Sequence, residues 1–328
     1  MRIEAFSEGK NLDDPAANED QFLVLPGRGF AVIDGVTDIT GRLFDGMRSG
    51  RLASGIVQQA AASFLTDDAD REPAVLIECV SAALRAAYVR HGMLEQAQAE
   101  PARRFGATLT VAIDLGAAFR FVVIGDSGLR LNGTELIVDD GGLDLVTATL
   151  RQEAYRLVGE AGGDLEAQRR AGRACAFHGI AQPHPDMQPW LDAPHLVSLR
   201  ERCLASCRAR FPAAPIADIH QLLDRGISGQ TRFQNNTASP FSYATLDGFA
   251  IPLPLVRAFD RPRASVHSIE LFTDGYFKPA AAPDVPAWEA SFLEVERIDP
   301  EKVGAYPSVK GTAGRMRTDD RTVVIVHL

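Results

Sequence analysis

Residues 30–35 read Phe-Ala-Val-Ile-Asp-Gly, a run of strand-forming apolar side chains that stops on an aspartate beside a glycine. The pattern returns at residues 121–127, Phe-Val-Val-Ile-Gly-Asp-Ser, and at residues 269–275, Ile-Glu-Leu-Phe-Thr-Asp-Gly. At residues 319–326 the order is inverted, because two aspartates and an arginine precede the run Thr-Val-Val-Ile-Val. Short apolar runs bounded by turn residues predict buried strands, each with a carboxylate at one end.

An acidic pair, Glu19-Asp20, precedes a further apolar run at residues 22–25. Carboxylates at the ends of strands that share a sheet lie close together and repel one another unless cations neutralise them. Oxygen ligands of this kind suit hard ions such as Mg²⁺ and Mn²⁺. Any single Asp-Gly is also an ordinary hairpin turn, and spacing alone leaves both interpretations open. The repetition favours a metal-dependent enzyme.

Composition limits the classes of protein to be considered. The 328 residues are 46% hydrophobic and 23% charged, the balance of a globular protein with one large domain or two smaller ones. A net charge of −9 argues against a nucleic-acid partner, because affinity for phosphate backbones comes from clustered lysine and arginine. We see neither a signal peptide nor an apolar stretch long enough to span a bilayer, and four cysteines do not predict a disulfide scaffold. These features predict a cytoplasmic protein that does not bind membranes.

Local patterns predict the order of elements along the chain. In the first half of the chain, turn and periodicity signals predict a hairpin before residue 35, helices at 51–65 and 73–94, strands at 107–113 and 119–124, and a hairpin with Asn-Gly at its tip over 129–138. In the second half they predict helices over 143–223, strands at 244–255 and 268–273, a helix at 288–296 and a strand at 322–328. Strands at both ends with helices between them predict an α+β fold with largely antiparallel sheets.

Two histidine and cysteine patterns raise a competing hypothesis of a zinc site. His178, His184 and His195 lie in a segment rich in proline, and Cys203 and Cys207 are one helical turn apart. The histidines lack a tight ligand pair, so we interpret their segment as a loop between helices. The cysteine spacing is typical of two small buried residues on one helix face.

The order of six motifs resembles the protein phosphatase 2C family, the metal-dependent serine/threonine phosphatases, in a divergent bacterial form. The motifs are Asn18-Glu19-Asp20, residues 31–35, residues 106–108, residues 125–127, residues 273–275 and residues 319–326. The resemblance covers nearly the whole chain except about residues 143–230. It implies a single domain over residues 1–328, built as two packed antiparallel sheets flanked by helices, with a helical insertion or flap at 143–230.

The resemblance also implies a role for individual residues. Asp34 would bridge two Mg²⁺ or Mn²⁺ ions and orient the attacking water, and Gly35 would offer its carbonyl to one ion. The remaining ligands would be Asp20, Asp274 and Asp319, with Glu19 acting through water and Asp126 at a third, weaker ion. The implied reaction is hydrolysis of phosphoserine and phosphothreonine in proteins by a water that two ions share.

The sequence departs from the family pattern at the positions that bind the substrate phosphate. An arginine is usual before the Glu-Asp pair, but residues 10–17 contain only Lys10 as a cation, with Asp13 and Asp14 added. Residues 34–38 read Asp-Gly-Val-Thr-Asp and lack the histidine of the family motif, and Gly128 stands where an arginine is usual. Lys10 and Arg232 are the candidates to contact the phosphate. Lysine gives a point charge rather than a bidentate fork.

These departures keep an alternative function open. The chain would then be a non-catalytic phosphatase 2C-like module that binds or regulates, a pseudophosphatase. The acidic residues argue against it, since a dead site needs no such concentration of carboxylates. A third class, an unrelated carboxylate metalloenzyme such as a nuclease, is disfavoured by the net charge of −9 and by the motif order.

Overall fold

Two compact units make up the computed structural model, which describes residues 1–36, 41–67, 72–138 and 142–328. The first, here called the sheet unit, comprises residues 1–140, 243–294 and 314–328. The second, the helical unit, comprises residues 141–242 and 295–313. The segment predicted as a flap, 143–230, falls in the helical unit, and its role as a flap stays a prediction.

Two five-stranded antiparallel sheets form the sheet unit, with strands numbered in chain order. The first sheet has the order β1 (Arg2–Glu8), β14 (Arg321–His327), β13 (Ser268–Phe272), β10 (Gly128–Leu131), β11 (Glu135–Ile137). The second has the order β12 (Arg257–Pro262), β9 (Ala118–Ile124), β8 (Leu109–Asp114), β3 (Gly29–Ile33), β2 (Gln21–Leu25). Two short pairs join β4 (Gly35–Val36) to β7 (Gly106–Ala107) and β5 (Leu43–Phe44) to β6 (Met47–Arg48).

The helices divide between the two units. The sheet unit holds α1 (Ser49–Thr66), α2 (Pro73–Arg90), α3 (Leu94–Ala99) and residues 285–294 of α8 (Val285–Ile298). The helical unit holds α4 (Gly142–Glu160), α5 (Leu165–His178), α6 (Ala193–Arg210) and α7 (Ile216–Arg225). None of the helices that the structure describes is long and apolar enough to cross a membrane.

Side chains that alternate between the two faces of each strand build three hydrophobic clusters, one between the sheets and one on the outer face of each sheet. Successive strand residues face opposite sides of a sheet, so Phe30 and Val32 of β3 join Val324 and Val326 of β14 in the core between the sheets. The intervening residues of β3 pack in the core that contains α1 and α2.

The outer face of the first sheet is covered in the same way. Val323 and Ile325 of β14 pack with Trp288 and Phe292 of α8. Helices thus flank both sheets, and the prediction of two packed antiparallel sheets flanked by helices is confirmed.

The predicted hairpin over residues 129–138 is confirmed, and a predicted strand is wrong. At the hairpin tip Asn132 and Gly133 have φ of 53° and 69°, positive values that asparagine and glycine tolerate, and Leu131 pairs with Glu135 across a three-residue loop. The strand predicted at 244–255 is absent from this described stretch, which has an isolated bridge from Leu246 to Ala107 and a 3₁₀ turn at Leu253–Leu255. Pro252 and Pro254 cannot donate to a strand ladder, so pairing starts only at β12.

The cysteines of the helical unit are buried core residues. Cys175, Cys203 and Cys207 are all at most 1% exposed, and all four cysteines are free thiols. Burial raises the pKa of the Cys207 thiol to about 11. The interpretation of Cys203 and Cys207 as a buried pair on one helix face is therefore confirmed.

Candidate functional site

Five aspartates at strand ends lie close enough to act on one another. Asp34 follows β3, and its pKa lies well above the ordinary value because of burial and the carboxylates of Asp20, Asp274, Asp319 and Asp126. Burial and the negative charge of Asp320 similarly raise the pKa of Asp20 to about 8, although hydrogen bonds oppose this. Together with Glu19, these six aspartates form what we call the acidic cluster, which belongs entirely to the sheet unit.

The pairing of β13 with β14 brings two of the motifs together. Phe272 pairs with Val323, so Asp274 leaves the end of one strand beside the point where Asp319 and Asp320 enter the next. The backbones are in contact there, because a Cβ built on Gly275 would lie 2.0 Å from the carbonyl oxygen of Asp320. Only glycine permits this approach, which explains the Asp-Gly dipeptide at this site.

A second backbone contact holds Glu19 against the start of α1. A Cβ on Gly35 would lie 2.2 Å from the carbonyl oxygen of Gly50, and a Cβ on Gly50 would lie 2.6 Å from Oε1 of Glu19. Gly50 therefore shapes the site, although sequence reasoning missed it. Local sequence carries no signal for it, because Gly50 lies just before the predicted helix 51–65 and its role depends on the contact with Gly35.

Hydrogen bonds fix the orientation of Asp20. Thr273 Oγ1 donates to Asp20 Oδ2 over 2.7 Å and accepts from the backbone N–H of Thr322 over 2.9 Å. Asn18 Oδ1 accepts from the backbone N–H of Asp20 over 2.9 Å. The other carboxylate oxygen, Asp20 Oδ1, is buried and has no hydrogen-bond partner among the residues that the structure describes. A buried anionic oxygen without a donor is costly unless a cation binds it.

Lys10 points its ammonium group into the acidic cluster. Nζ lies 3.2 Å from Glu19 Oε2, 3.1 Å from Asp319 Oδ1 and 3.0 Å from Asp320 Oδ2. Although burial lowers the pKa of Lys10, the negative charges of Asp319, Asp320 and Glu19 raise it above the usual lysine value. Lys10 is therefore a charged partner of carboxylates in this structure, and its predicted role as a phosphate ligand stays a prediction.

Asp319 and Asp320 differ in what they bind. Asp320 accepts hydrogen bonds from the backbone N–H groups of Lys10, at 2.6 Å, and of Glu19, at 3.3 Å. Asp319 is more exposed, with a fifth of its side chain accessible against 2% for Asp320. Asp319 also accepts a backbone hydrogen bond, from the N–H of Asp320 over 3.0 Å, and its assignment as a metal ligand stays a prediction.

The remaining positions are the second candidate phosphate contact, Arg232, and the departures from the family motif. Arg232 ends the 3₁₀ helix Gly226–Arg232 in the helical unit, and its contact with substrate stays a prediction. Gly128 cannot be exchanged for an arginine in this backbone, because a Cβ there would lie 2.2 Å from the ring of Phe272. Thr37 and Asp38, which replace the end of the family motif, lie outside the described residues.

The fit of these residues to metal ions rests on their chemistry. Within the described ranges, no three histidine, cysteine, aspartate or glutamate side chains stand arranged to hold an ion as they are, and this covers the histidine segment proposed for zinc. His178 and His184 instead stack on each other, with ring centroids 4.5 Å apart. The acidic cluster offers only oxygen donors, which fit Mg²⁺ or Mn²⁺. It also contains a buried carboxylate oxygen, on Asp20, without a donor.

Comparison with known proteins gave similarities of fold. No family model matches the sequence, and no curated protein is significantly similar to it. Serine/threonine phosphatases are among the solved structures that are similar to it. The Mycobacterium tuberculosis phosphatase PstP/Ppp is 20% identical, with a TM-score of 0.46 over 100% of this chain and 98% of that one.

Two further solved structures have comparable scores. The catalytic domain of PstP, in complex with two manganese ions, is 18% identical with a TM-score of 0.45, over 99% of this chain and 96% of that one. Stp1 of Staphylococcus aureus is 10% identical with a TM-score of 0.46, over 100% of this chain and 95% of that one.

Proposed function

We propose that this protein is a metal-dependent phosphomonoester hydrolase that removes phosphate from phosphoserine and phosphothreonine in proteins. The observation that carries the proposal is the acidic cluster, in which burial and the carboxylates of four other chain segments raise the pKa of Asp34. Concentrated negative charge opposes folding, so a cluster of this size is best explained by cations that it holds. The motif order supplies the substrate class.

The residues fall into ligands and positioning groups. The carboxylates of Asp34, Asp20, Asp274 and Asp319 and the Gly35 carbonyl would hold two Mg²⁺ or Mn²⁺ ions, with Glu19 acting through water and Asp126 at a third ion. When bound, such ions supply the positive charge and the activated water that phosphoryl transfer requires. Asp34, at the centre of the group, would orient that water. Thr273 would hold Asp20 in place through its 2.7 Å hydrogen bond.

A second candidate function is a non-catalytic binding or regulatory module with the same fold. The observation that favours it is Lys10, whose ammonium contacts three carboxylates of the acidic cluster and supplies part of the charge that a metal would bring. The two candidates differ in a measurable property, because only the hydrolase turns over a phosphomonoester.

The test compares wild-type protein with an Asp34→Asn variant, using p-nitrophenyl phosphate and a phosphothreonine peptide in EDTA, Mg²⁺ or Mn²⁺. We expect metal-dependent turnover that falls at least about a hundredfold in the variant. Mutation of residues that merely hydrogen-bond to metal ligands already lowers metal affinity or activity about 10- to 100-fold. Asp260→Asn is the matched control, because Asp260 is an exposed aspartate of the same unit that pairs with Arg120.

The variant should fold normally, which separates lost chemistry from lost structure. Removing one of several mutually repelling charges should leave the melting temperature of the metal-free variant equal to or above that of wild type. Full activity of Asp34→Asn would contradict the assignment of Asp34. Wild-type protein that binds Mn²⁺ but turns over neither substrate would favour the non-catalytic module.

A further inference from the structure

We infer that the Lys10 ammonium is a built-in counter-ion of the acidic cluster, so that a divalent cation binds beside Glu19 and Asp319 only by displacing it. The inference rests on the proposed function, because it concerns the metal occupancy of the same site. It makes the two ion positions unequal: one accepts a cation directly, and the other is already neutralised from within the chain.

Geometry supports this role for the side chain. Three carboxylates surround the ammonium at 3.0–3.2 Å, and two of them, Glu19 and Asp320, have at most 2% of their side chains exposed. A charge-assisted contact at that distance is strong when water is excluded. Lys10 itself keeps only a fifth of its side chain accessible. The ammonium therefore belongs to the cluster rather than to the solvated surface.

The backbone delivers Lys10 to this position. Its N–H donates to Asp320 Oδ1 over 2.6 Å, and its carbonyl accepts from the N–H of Arg317 over 2.8 Å. The next residues continue the pairing, with a bridge from Asn11 to Met316. The chain before Asp319 and the chain after Lys10 thus hold each other, and the side chain starts from a fixed point beside its partners.

Charge matching explains why a lysine sits there. Asp320 adds a negative charge near Asp20, whose pKa is raised by burial and by that charge. Lys10 contacts this added carboxylate directly. A cation beside Asp319 would come within a few ångströms of the ammonium, and two like charges at such a distance exclude each other. Metal binding on this side must therefore move Lys10.

The test measures Mn²⁺ binding to metal-free protein by calorimetry, without any substrate. Lys10→Gln removes the charge and keeps a polar side chain, Lys10→Arg keeps the charge, and Lys278→Gln removes a lysine that pairs with Glu294 instead. We expect a tight and a weak Mn²⁺ site in wild type, and a weak site that tightens about tenfold or more in Lys10→Gln, within the usual range of coupling between sites. Lys10→Arg and Lys278→Gln should behave as wild type.

The outcomes separate this inference from the proposed function. Lys10→Gln with both Mn²⁺ affinities within twofold of wild type would overturn the inference and leave the hydrolase proposal standing. A variant that binds two ions where wild type binds one would support the inference. If neither protein binds Mn²⁺, the proposed metal centre and the inference both fail.

A second measurement uses wild-type protein and does not depend on a variant that folds. The chain has four lysines, Lys10, Lys278, Lys302 and Lys310, so amine labelling followed by peptide mass spectrometry resolves each one. Saturating Mg²⁺ should increase the labelling of Lys10 several-fold relative to Lys278, because the displaced ammonium becomes accessible. Protection of Lys10 that Mg²⁺ leaves unchanged would contradict displacement.

Discussion

Replacing Thr273 by valine removes one hydroxyl that serves two buried partners. Thr273 is fully buried, its Oγ1 donates to Asp20 Oδ2 over 2.7 Å, and the same oxygen accepts from the N–H of Thr322 over 2.9 Å. Valine has nearly the same shape, so it opens no cavity. The change therefore isolates the hydrogen bonds that join the acidic cluster to the junction of β13 and β14.

The magnitude follows from the two partners. A hydrogen bond to a charged group contributes about 1.5–3 kcal/mol, and a buried N–H left without an acceptor costs about 1–3 kcal/mol. Thr273→Val should therefore reduce the free energy of unfolding by about 2.5–6 kcal/mol. Thr273→Ser keeps the hydroxyl and loses one buried methyl group, which costs about 1 kcal/mol.

The assay is urea unfolding of metal-free protein followed by tryptophan fluorescence. Trp288 is buried in the sheet unit and its ring lies 4.6 Å from that of Phe272, while the second tryptophan, Trp190, belongs to the helical unit. A Trp190→Phe background makes the signal report the sheet unit alone. If the valine and serine variants unfold with free energies within about 0.5 kcal/mol of each other, the ordinary scatter of substitutions without a specific effect, the hydroxyl does not hold Asp20 as described.

Two further predictions concern packing of the first sheet. Gly128→Ala should lower the free energy of unfolding by about 1–3 kcal/mol, because the added Cβ would lie 2.2 Å from the ring of Phe272. Adding Phe272→Leu should recover part of this loss in the same urea experiment. A Gly128→Ala variant as stable as wild type would refute the contact. Arg130→Met should cost about 3–5 kcal/mol, since it leaves the fully buried Glu270 without its guanidinium partner. Arg103→Met removes the exposed pair with Glu100 and should cost about 1 kcal/mol or less, so equal losses in the two variants would contradict the role of burial.

Much of the fold was accessible to sequence reasoning because its signals are local. The alternation in β3 and β14 needs only a period of two, and Asn132-Gly133 carries its own turn geometry. The prediction of a strand at 244–255 was wrong because it gave the apolar residues more weight than Pro252 and Pro254. The bounds of the two units could not be predicted, since residues 295–313 join the helical unit through contacts between distant parts of the chain.

Some residues of the candidate site could likewise be predicted from local sequence and others could not. Asp34 and Asp274 were predictable because each ends an apolar run beside a glycine. Lys10 was identified as a cation near the acidic pair, but its contact with Asp319 spans 309 positions and depends on backbone pairing that no local pattern encodes. Gly50 was missed for the same reason, since its role appears only when α1 meets Gly35.

The acidic cluster and Lys10 together indicate how the site is balanced between stability and binding. Each carboxylate added to the group makes folding harder, since both burial and the neighbouring carboxylates raise the pKa of Asp34 and so oppose its charge. One ammonium cannot neutralise seven carboxylates, so Lys10 stabilises the side that contains Asp320 and leaves the side that contains Asp20 in need of a cation. A ligand that binds only the native state at a hundred times its Kd adds about 2.7 kcal/mol to stability. Divalent metal should therefore stabilise the fold as well as equip the site, and the metal-free protein should be the less stable form.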